Sequence, residues 1–488
     1  RALDLELKLA PAAIAVVVLL TIHRLLSAQT AAELRDMSWF APAASLFKYA
    51  KHCLDPDVSS YDPQYAAQAA ALEKKYLAAA KPRHHHAIKL ALLDYFGRRN
   101  EALISLPGPL ERLVCDWLLA ERRDLPLFLT FVQCSLWLTF SACVQLFLMP
   151  NDARGALWMV VHLPITWIVL GQRFILAMHY AAHRSLFHSR WGALGTLFNH
   201  FPMLVLCNFW GMPCGAYYLQ HCVMHHQANN LFPHDISSTM PYDRSSPLQW
   251  VHYACNFMLH TLVYLPFYAL RKGRLGLAAG SVLTTSLYFV AFPAMYAYHP
   301  VAFVSFFGVP LFMAPFALML GNFSQHIFVD PRDPKSNYGL ATNHLNAPFN
   351  MLTFNDGYHI THHVNSRIHW TEMPLHFIEH IDKYEEGDAI VLHGVNFEEV
   401  SFAVWGGNLP DLADKIVQLR EVKRTKAELV EMLQERLKPI RNQQIGRPQR
   451  SAFVVNQAMW IAWWFSGFPG SSAVVLFIPL FSAISFFM

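Results

Sequence analysis

Residues 125–149 run without a single charged side chain, and this constrains the fold more than any other feature of the sequence. The stretch exceeds the about 20 residues a helix needs to cross the apolar layer of a bilayer, where every backbone N–H must be bonded within its own segment. A turn follows at Pro150-Asn151-Asp152-Ala153-Arg154, and residues 155–178 return. Further apolar runs lie at 250–270, 275–298 and 301–321. The first of these holds His252, His260 and Pro266 and stops at Arg271-Lys272-Gly273-Arg274, so it is expected to lie at the interface. Residues 192–215, broken by Pro202, Gly211, Pro213 and Gly215, read as re-entrant or interfacial. The expected fold is an all-α integral membrane protein, with about four core transmembrane helices plus interfacial helices. The composition, 54% hydrophobic and 15% charged, agrees.

Four regions are expected. Residues 1–124 form an N-terminal helical, membrane-surface region, with helical periodicity over 62–80 and 86–95 and an apolar stretch at 11–22 that is short for a span. In it the run His84-His85-His86 is expected to be solvated. Residues 125–375 are the membrane core. Residues 376–450 are a polar, amphipathic helical region, with one helix over 411–438 capped by Asp411 and striped by Leu412, Ile416, Leu419, Leu429, Leu433 and Leu437. Residues 451–488 hold two apolar runs, read as a hydrophobic anchor or a hairpin that binds a membrane-protein partner. The chain begins at Arg1 without methionine, as expected of a processed or incomplete terminus. Its eight cysteines show no CxxC and are expected to be reduced and mostly buried. A net charge of +4 is too small to imply nucleic-acid binding.

Three histidine clusters follow one another along this apolar chain: His179-Tyr-Ala-Ala-His183, His221-Cys-Val-Met-His225-His226 and His359-Ile-Thr-His362-His363. Neutral imidazole is the commonest ligand for redox-active iron. On a helix, ligands at i and i+4 share a face, and i+5 is expected to reach a second metal beside the first. A zinc hydrolase fits poorly, because the clusters lack an HExxH glutamate and hold too many ligands for one tetrahedral ion.

The order HxxxH, HxxxHH, HxxHH resembles the membrane fatty acid desaturase and hydroxylase superfamily. The first cluster continues as His183-Arg184-Ser185-Leu186-Phe187-His188, similar to the first box of acyl-lipid desaturases, and Tyr358 opens the third as YHxxHH. The resemblance implies a helical cap carrying the histidine boxes, two non-haem iron ions, and dioxygen as co-substrate. It implies no catalytic residue beyond the metal ligands. Those are His179, His183, His221, His225, His226, His359, His362 and His363, with His326 as a ninth from the NxxxH pattern of Asn322 to His326. His183 and His188 also spell HxxxxH, so His179 and His188 compete for one place, and the HxxxHH second box sits better with His179. Asn322, Asp235, Asp356 and His188 are expected behind the ligands, steadying them directly or through water. His344 and His369 are expected to be structural or interfacial.

The implied reaction is oxygen-dependent oxidation of an unactivated C–H in a membrane lipid, with a double bond introduced into a fatty acyl chain. The alternatives are a hydroxylase or ketolase of alkyl chains or carotenoids, and a desaturase-like structural subunit of a larger membrane complex. His299-Pro300 continues as Val301-Ala302, not as a haem-binding HPGG, so a separate electron donor is implied, cytochrome b5 or ferredoxin. The basic residues Arg122, Arg123, Arg271, Lys272 and Arg274 fall on the histidine side, which places the site on the cytosolic or stromal face of an endoplasmic reticulum or plastid membrane.

Overall fold

The structure is a computed structural model that describes residues 60–97 and 106–440. The apolar stretch at 11–22, Cys53 and both apolar runs of the tail lie outside the described residues.

Among the described residues the chain is predominantly helical, with three helices long and apolar enough to cross a membrane: Arg122–Leu148, Leu275–Tyr298 and Pro300–Gln325. Gly155–Val169 and Gly171–His183, which meet at a bend of 48°, qualify only as a pair, as a broken fourth span or a re-entrant loop. The bend has a covalent cause. Pro164 cannot donate to the preceding turn, and the helix widens into a π segment over Ile165–Val169 before Gly171 restarts it. A Cβ on Gly171 would stand 3.2 Å from the Thr166 carbonyl oxygen, and the Trp210 ring stacks on Phe174 at a centroid distance of 3.9 Å just beyond the bend. The first two spans are laced by polar contacts. Trp137 Nε1 donates to Thr166 Oγ1 at 2.9 Å, and Ser141 Oγ lies 2.8 Å from His162 Nδ1, the kind of contact that joins helices where apolar burial gives no driving force. Leu283, Leu287 and Val290 stand exposed on Leu275–Tyr298, as lipid-facing side chains should. Pro247–Arg271 is equally long but does not qualify as a span, and it packs along Leu275–Tyr298 and Val309–Gln325.

The polar part of the chain closes over one end of these helices. Strands β1 (Thr342–Leu345) and β2 (Ile390–His393) pair in parallel from Thr342↔Ile390 to Leu345↔His393, and Asn343 bridges to Tyr358 at the mouth of the third cluster. Helix His85–Phe96 buries Ala87, Ile88, Ala91 and Leu92 against Met373–Glu379, in the same apolar core as Phe131, Phe174 and Tyr180 of the spans. Arg244 is fully buried and donates to the carbonyl oxygens of Thr239, Ile327 and Arg436, among others, so it holds three distant segments in register.

Three expectations are corrected here. The helix expected over 411–438 is two helices, Leu409–Asp414 and Lys426–Leu437. Between them Val417 N donates to Val391 O and His393 N to Lys415 O, so pairing with β2 draws the backbone out of the helix. Asp411 lies inside the first helix, and the second is capped by Thr425 in a capping box with Glu428. His84 is not solvated: it is buried, with Nε2 at 3.1 Å from Glu385, a carboxylate it shares with Lys81 and Arg83. Among the described residues the cysteines are all free, with Cys115, Cys134, Cys207 and Cys255 buried.

Candidate metal centre

Nine histidines from four stretches of chain converge beneath the cap. His179 and His183 stand on the last turns of the bent span, His221, His225 and His226 on residues 216–228, His326 just past the last span, and His359, His362 and His363 on His359–Val364. They sort into two groups, His179, His183, His221, His226 and His362 in one and His225, His326, His359 and His363 in the other. Within each group one ring nitrogen per residue lies within 4.8 Å of all the rest.

The distances test whether such groups fit an ion. In the first, Nε2 atoms face each other at 2.7 Å (His179–His362), 2.9 Å (His362–His226), 3.0 Å (His226–His221) and 3.0 Å (His221–His183). In the second they stand at 3.0 Å (His359–His326) and 3.2 Å (His363–His359). Two nitrogens bonded at about 2.0–2.1 Å to one ion and subtending a right angle are separated by about 3 Å. A neutral imidazole has a single N–H, so nitrogens converging on one point cannot all satisfy each other. His225 Nε2 is buried in the second group with no hydrogen-bond partner among the described residues. A cation at each centre would satisfy them all.

For most of these rings the environment favours the neutral form, with a lone pair free. Burial first, and then the mutual proximity of the rings, hold His221, His226, His359, His362 and His363 well below the usual imidazole range. Burial pushes His326 down to about 3.

The opposite ring nitrogens are held from behind. His225 Nδ1 lies 2.6 Å from Asp235 Oδ2, and Ser237 donates to Asp235 through both N and Oγ. Burial opposes ionisation of Asp235, but His225 and Ser237 outweigh it and hold the carboxyl below its usual range. His326 Nδ1 donates to the Leu340 carbonyl oxygen at 2.8 Å, which turns Nε2 towards His359. His179 Nδ1 stands 3.3 Å from Asp356, which also accepts from Tyr180 OH and from Gln325 Nε2. Burial raises Asp356 to about 7, against the pull of those two donors. Asn322 reaches the centre indirectly: its amide donates to Ser237 O at 2.9 Å, beside the Asp235–His225 pair.

His188 lies outside both groups. It caps the turn Ser189–Trp191, accepting from Arg190 N at 3.0 Å, while His188 N bonds Leu118 O. Cys222 sits behind His183, 3.9 Å from Nδ1 and away from the converging Nε2 atoms, and burial pushes its thiol up to about 12. His344 bonds Thr342 and Val395, and His369 bonds Asp124.

The pairing within the second cluster departs from expectation. His221 shares its group with His226 at i+5, and His225 at i+4 turns to the other group. The cause is local: Leu219–His225 is a π-helix, whose wider turn brings i+5 beneath i.

A cavity of about 580 Å³ opens beside the groups, lined by His179, His221, His225 and His359 and walled by Trp167, Ile175, Leu318 and Phe402 among others. Residues 156–393 match the family model described as fatty acid desaturase. This stretch, just under half of the chain, carries a fatty acid desaturase domain. The match takes in all nine histidines, the bent span, the last two spans and both strands. No curated protein and no solved structure matched the chain. The desaturase domain thus carries an oxidase-type architecture: apolar spanning helices, histidine groups that could hold metal, and a lipid-compatible cavity against them. Sequence reasoning missed Tyr180, Ser237, Gln325 and Glu398, which carry no spacing signature. Only the adjacency of Tyr180 to His179 and of Gln325 to His326 could have marked two of them.

Proposed function

We propose that the protein oxidises an unactivated C–H bond of a membrane lipid with dioxygen, introducing a double bond into a fatty acyl chain, and that its nine converging histidines hold two iron ions. The observation that carries this reading is the pair of Nε2 groups lining one wall of an otherwise largely apolar cavity. His179, His183, His221, His226 and His362 would hold one iron, and His225, His326, His359 and His363 the other. Bound iron supplies the one-electron chemistry needed to activate dioxygen and take hydrogen from an alkyl chain.

The protein's own part is positional. Leu318, Ile175 and Trp167 exclude water and align the chain against the histidines. Asp235 and the Leu340 carbonyl keep Nε2 of His225 and His326 free of hydrogen by holding the proton at Nδ1. Asp356, with Tyr180 and Gln325, does the same for His179. Residues 125–375 are the proposed catalytic core. Electrons come from a separate carrier, cytochrome b5 or ferredoxin, at the capped face. That face is cytosolic, or stromal in a plastid, because Arg122, Arg123, Arg271, Lys272 and Arg274 flank the spans on that side.

The test is metal analysis of detergent-purified protein with Mössbauer spectroscopy of an iron-57 sample, followed by lipid product analysis. Near two coupled irons per chain and a new double bond in an acyl lipid are expected. Absence of bound iron in protein purified without chelators would end the reading.

A further inference from the structure

The cavity at the histidines has one wall that metal ligation does not explain. Glu398, in the first turn of Phe397–Trp405, lines it together with Gln172 of the bent span. Gln172 Nε2 donates to Glu398 Oε1, while Glu398 Oε2 is shielded from solvent and has no hydrogen-bond partner among the described residues. A buried oxygen left this way is costly unless something else bonds it. The cavity also shares Tyr217, Gln220 and Leu318 with a second, almost wholly apolar cavity of about 440 Å³, lined by Met212, Phe257 and Leu311 among others. The two cavities therefore adjoin: the first has a polar station on its wall and the histidines beside it, and the second is an apolar chamber next to it.

Gln172 and His179 both face the first cavity, seven positions apart on one helix. At about 1.5 Å per residue they are separated by about 10 Å along its axis. Burial raises the Glu398 carboxyl to about 8, so near neutral pH it is a neutral acid. With the Gln172 amide donating to Oε1, its hydrogen belongs on Oε2, which makes that atom a donor.

Building on the proposed lipid oxidation, we propose that Glu398, positioned by Gln172, is the substrate anchor: its Oε2 hydroxyl donates to the acyl carbonyl of the lipid, so that the oxidised carbon is counted from the carbonyl while the methyl end runs into the second cavity. The substrate class is an acyl lipid held through its ester or amide carbonyl.

The test is binding to the full-length detergent-purified protein, which does not depend on turnover. The probes are a diacyl phosphatidylcholine, its dialkyl ether analogue, which lacks carbonyls, and an N-acyl amide lipid. The wild-type protein should bind the ester about tenfold more tightly than the ether. Whether the amide matches the ester or exceeds it identifies which carbonyl source fits. Glu398→Leu should abolish the preference for a carbonyl, and Glu398→Gln, which keeps a donor at the same place, should restore it. Iron content measured on each variant checks that the histidine groups are intact. Equal binding of ester and ether by the wild-type protein, or an undiminished preference in Glu398→Leu, would overturn the anchor. Those outcomes are separate from failure of the oxidation itself, which leaves carbonyl preference in place and shows up as lipid bound but never oxidised.

Discussion

Tyr358 OH donates a 2.6 Å hydrogen bond to Asp94, although the two residues lie 264 positions apart. Asp94 also accepts from Asn346 N at 2.6 Å and from Asn350 Nδ2 at 3.2 Å, and Asn350 in turn donates to His344 O. Helix His85–Phe96, which precedes the desaturase domain in the chain, therefore clamps the loop that delivers His359, His362 and His363.

Asp94→Ala should remove the acceptor that Asp94 offers to the Tyr358 hydroxyl, the Asn346 N–H and the Asn350 amide, at about 1–3 kcal/mol in all. The third cluster then shifts, so iron per chain should drop along with the apparent melting temperature. Tyr358→Phe removes one donor without stranding another and should be milder. Metal analysis beside thermal unfolding in detergent decides this. Full iron in Asp94→Ala would mean the clamp does not govern the cluster.

Asp235→Asn should weaken iron at the second group by about 10–100-fold. An amide in place of the carboxylate can present its NH₂ to His225 Nδ1, which shifts the ring proton to Nε2 and blocks the lone pair aimed at the metal. A chelator competition on the purified variant measures the loss. Affinity equal to wild type would show that Asp235 does not set the tautomer.

Stripping the metal should destabilise the folded protein and ferrous iron should restore it, since an ion bound only by the native state stabilises by mass action. The expected trace is a melting temperature that falls on chelation and recovers on adding iron. An unchanged melting temperature after complete stripping would argue that the nine histidines hold no ion.

Acid should loosen the cap through Asp388. Burial raises its pKa, but Arg424, Arg332 and Arg436 outweigh burial and hold the carboxyl well below its ordinary range, and Asp330 is depressed as well. A carboxyl whose folded pKa is depressed contributes its stability in full above its unfolded value of about 3.9, and loses it as pH falls towards the folded one. Stability should hold through neutral pH and decline below about pH 4. Arg436, buried, with Nη2 at 2.9 Å from Asp330 and 3.1 Å from Asp388, is the member whose removal matters most. Arg436→Met should cost about 3 kcal/mol and flatten the acid dependence. A melting curve taken across pH on both proteins tests the pair of claims.

The spans and the nine histidines were legible in the sequence because each is written locally: an uncharged run fixes a helix in a bilayer, and short histidine spacings fix a helix face. What was not legible depends on partners far along the chain. Asp94 has no local mark, and its role exists only once Tyr358 arrives. His84 was expected in solvent because nothing nearby could bury it, whereas Glu385, more than 300 residues on, does so. The break after Asp414 escaped notice because the apolar stripe continues through Ile416 and Leu419, and only β2 offers the backbone a better partner. The exchange of His225 and His226 between groups turns on a π-helical turn that residue spacing does not announce.

That exchange has a consequence for how such a centre can change over generations. The second cluster sends His221 and His226 to one group and His225 to the other, and the third sends His362 to the first and His359 and His363 to the second. No cluster belongs to a single group except His179 and His183. A descendant that lost either of the two later clusters as a block would forfeit members of both groups together, so a one-ion version can arise only by replacing single histidines within each cluster and not by deleting a cluster.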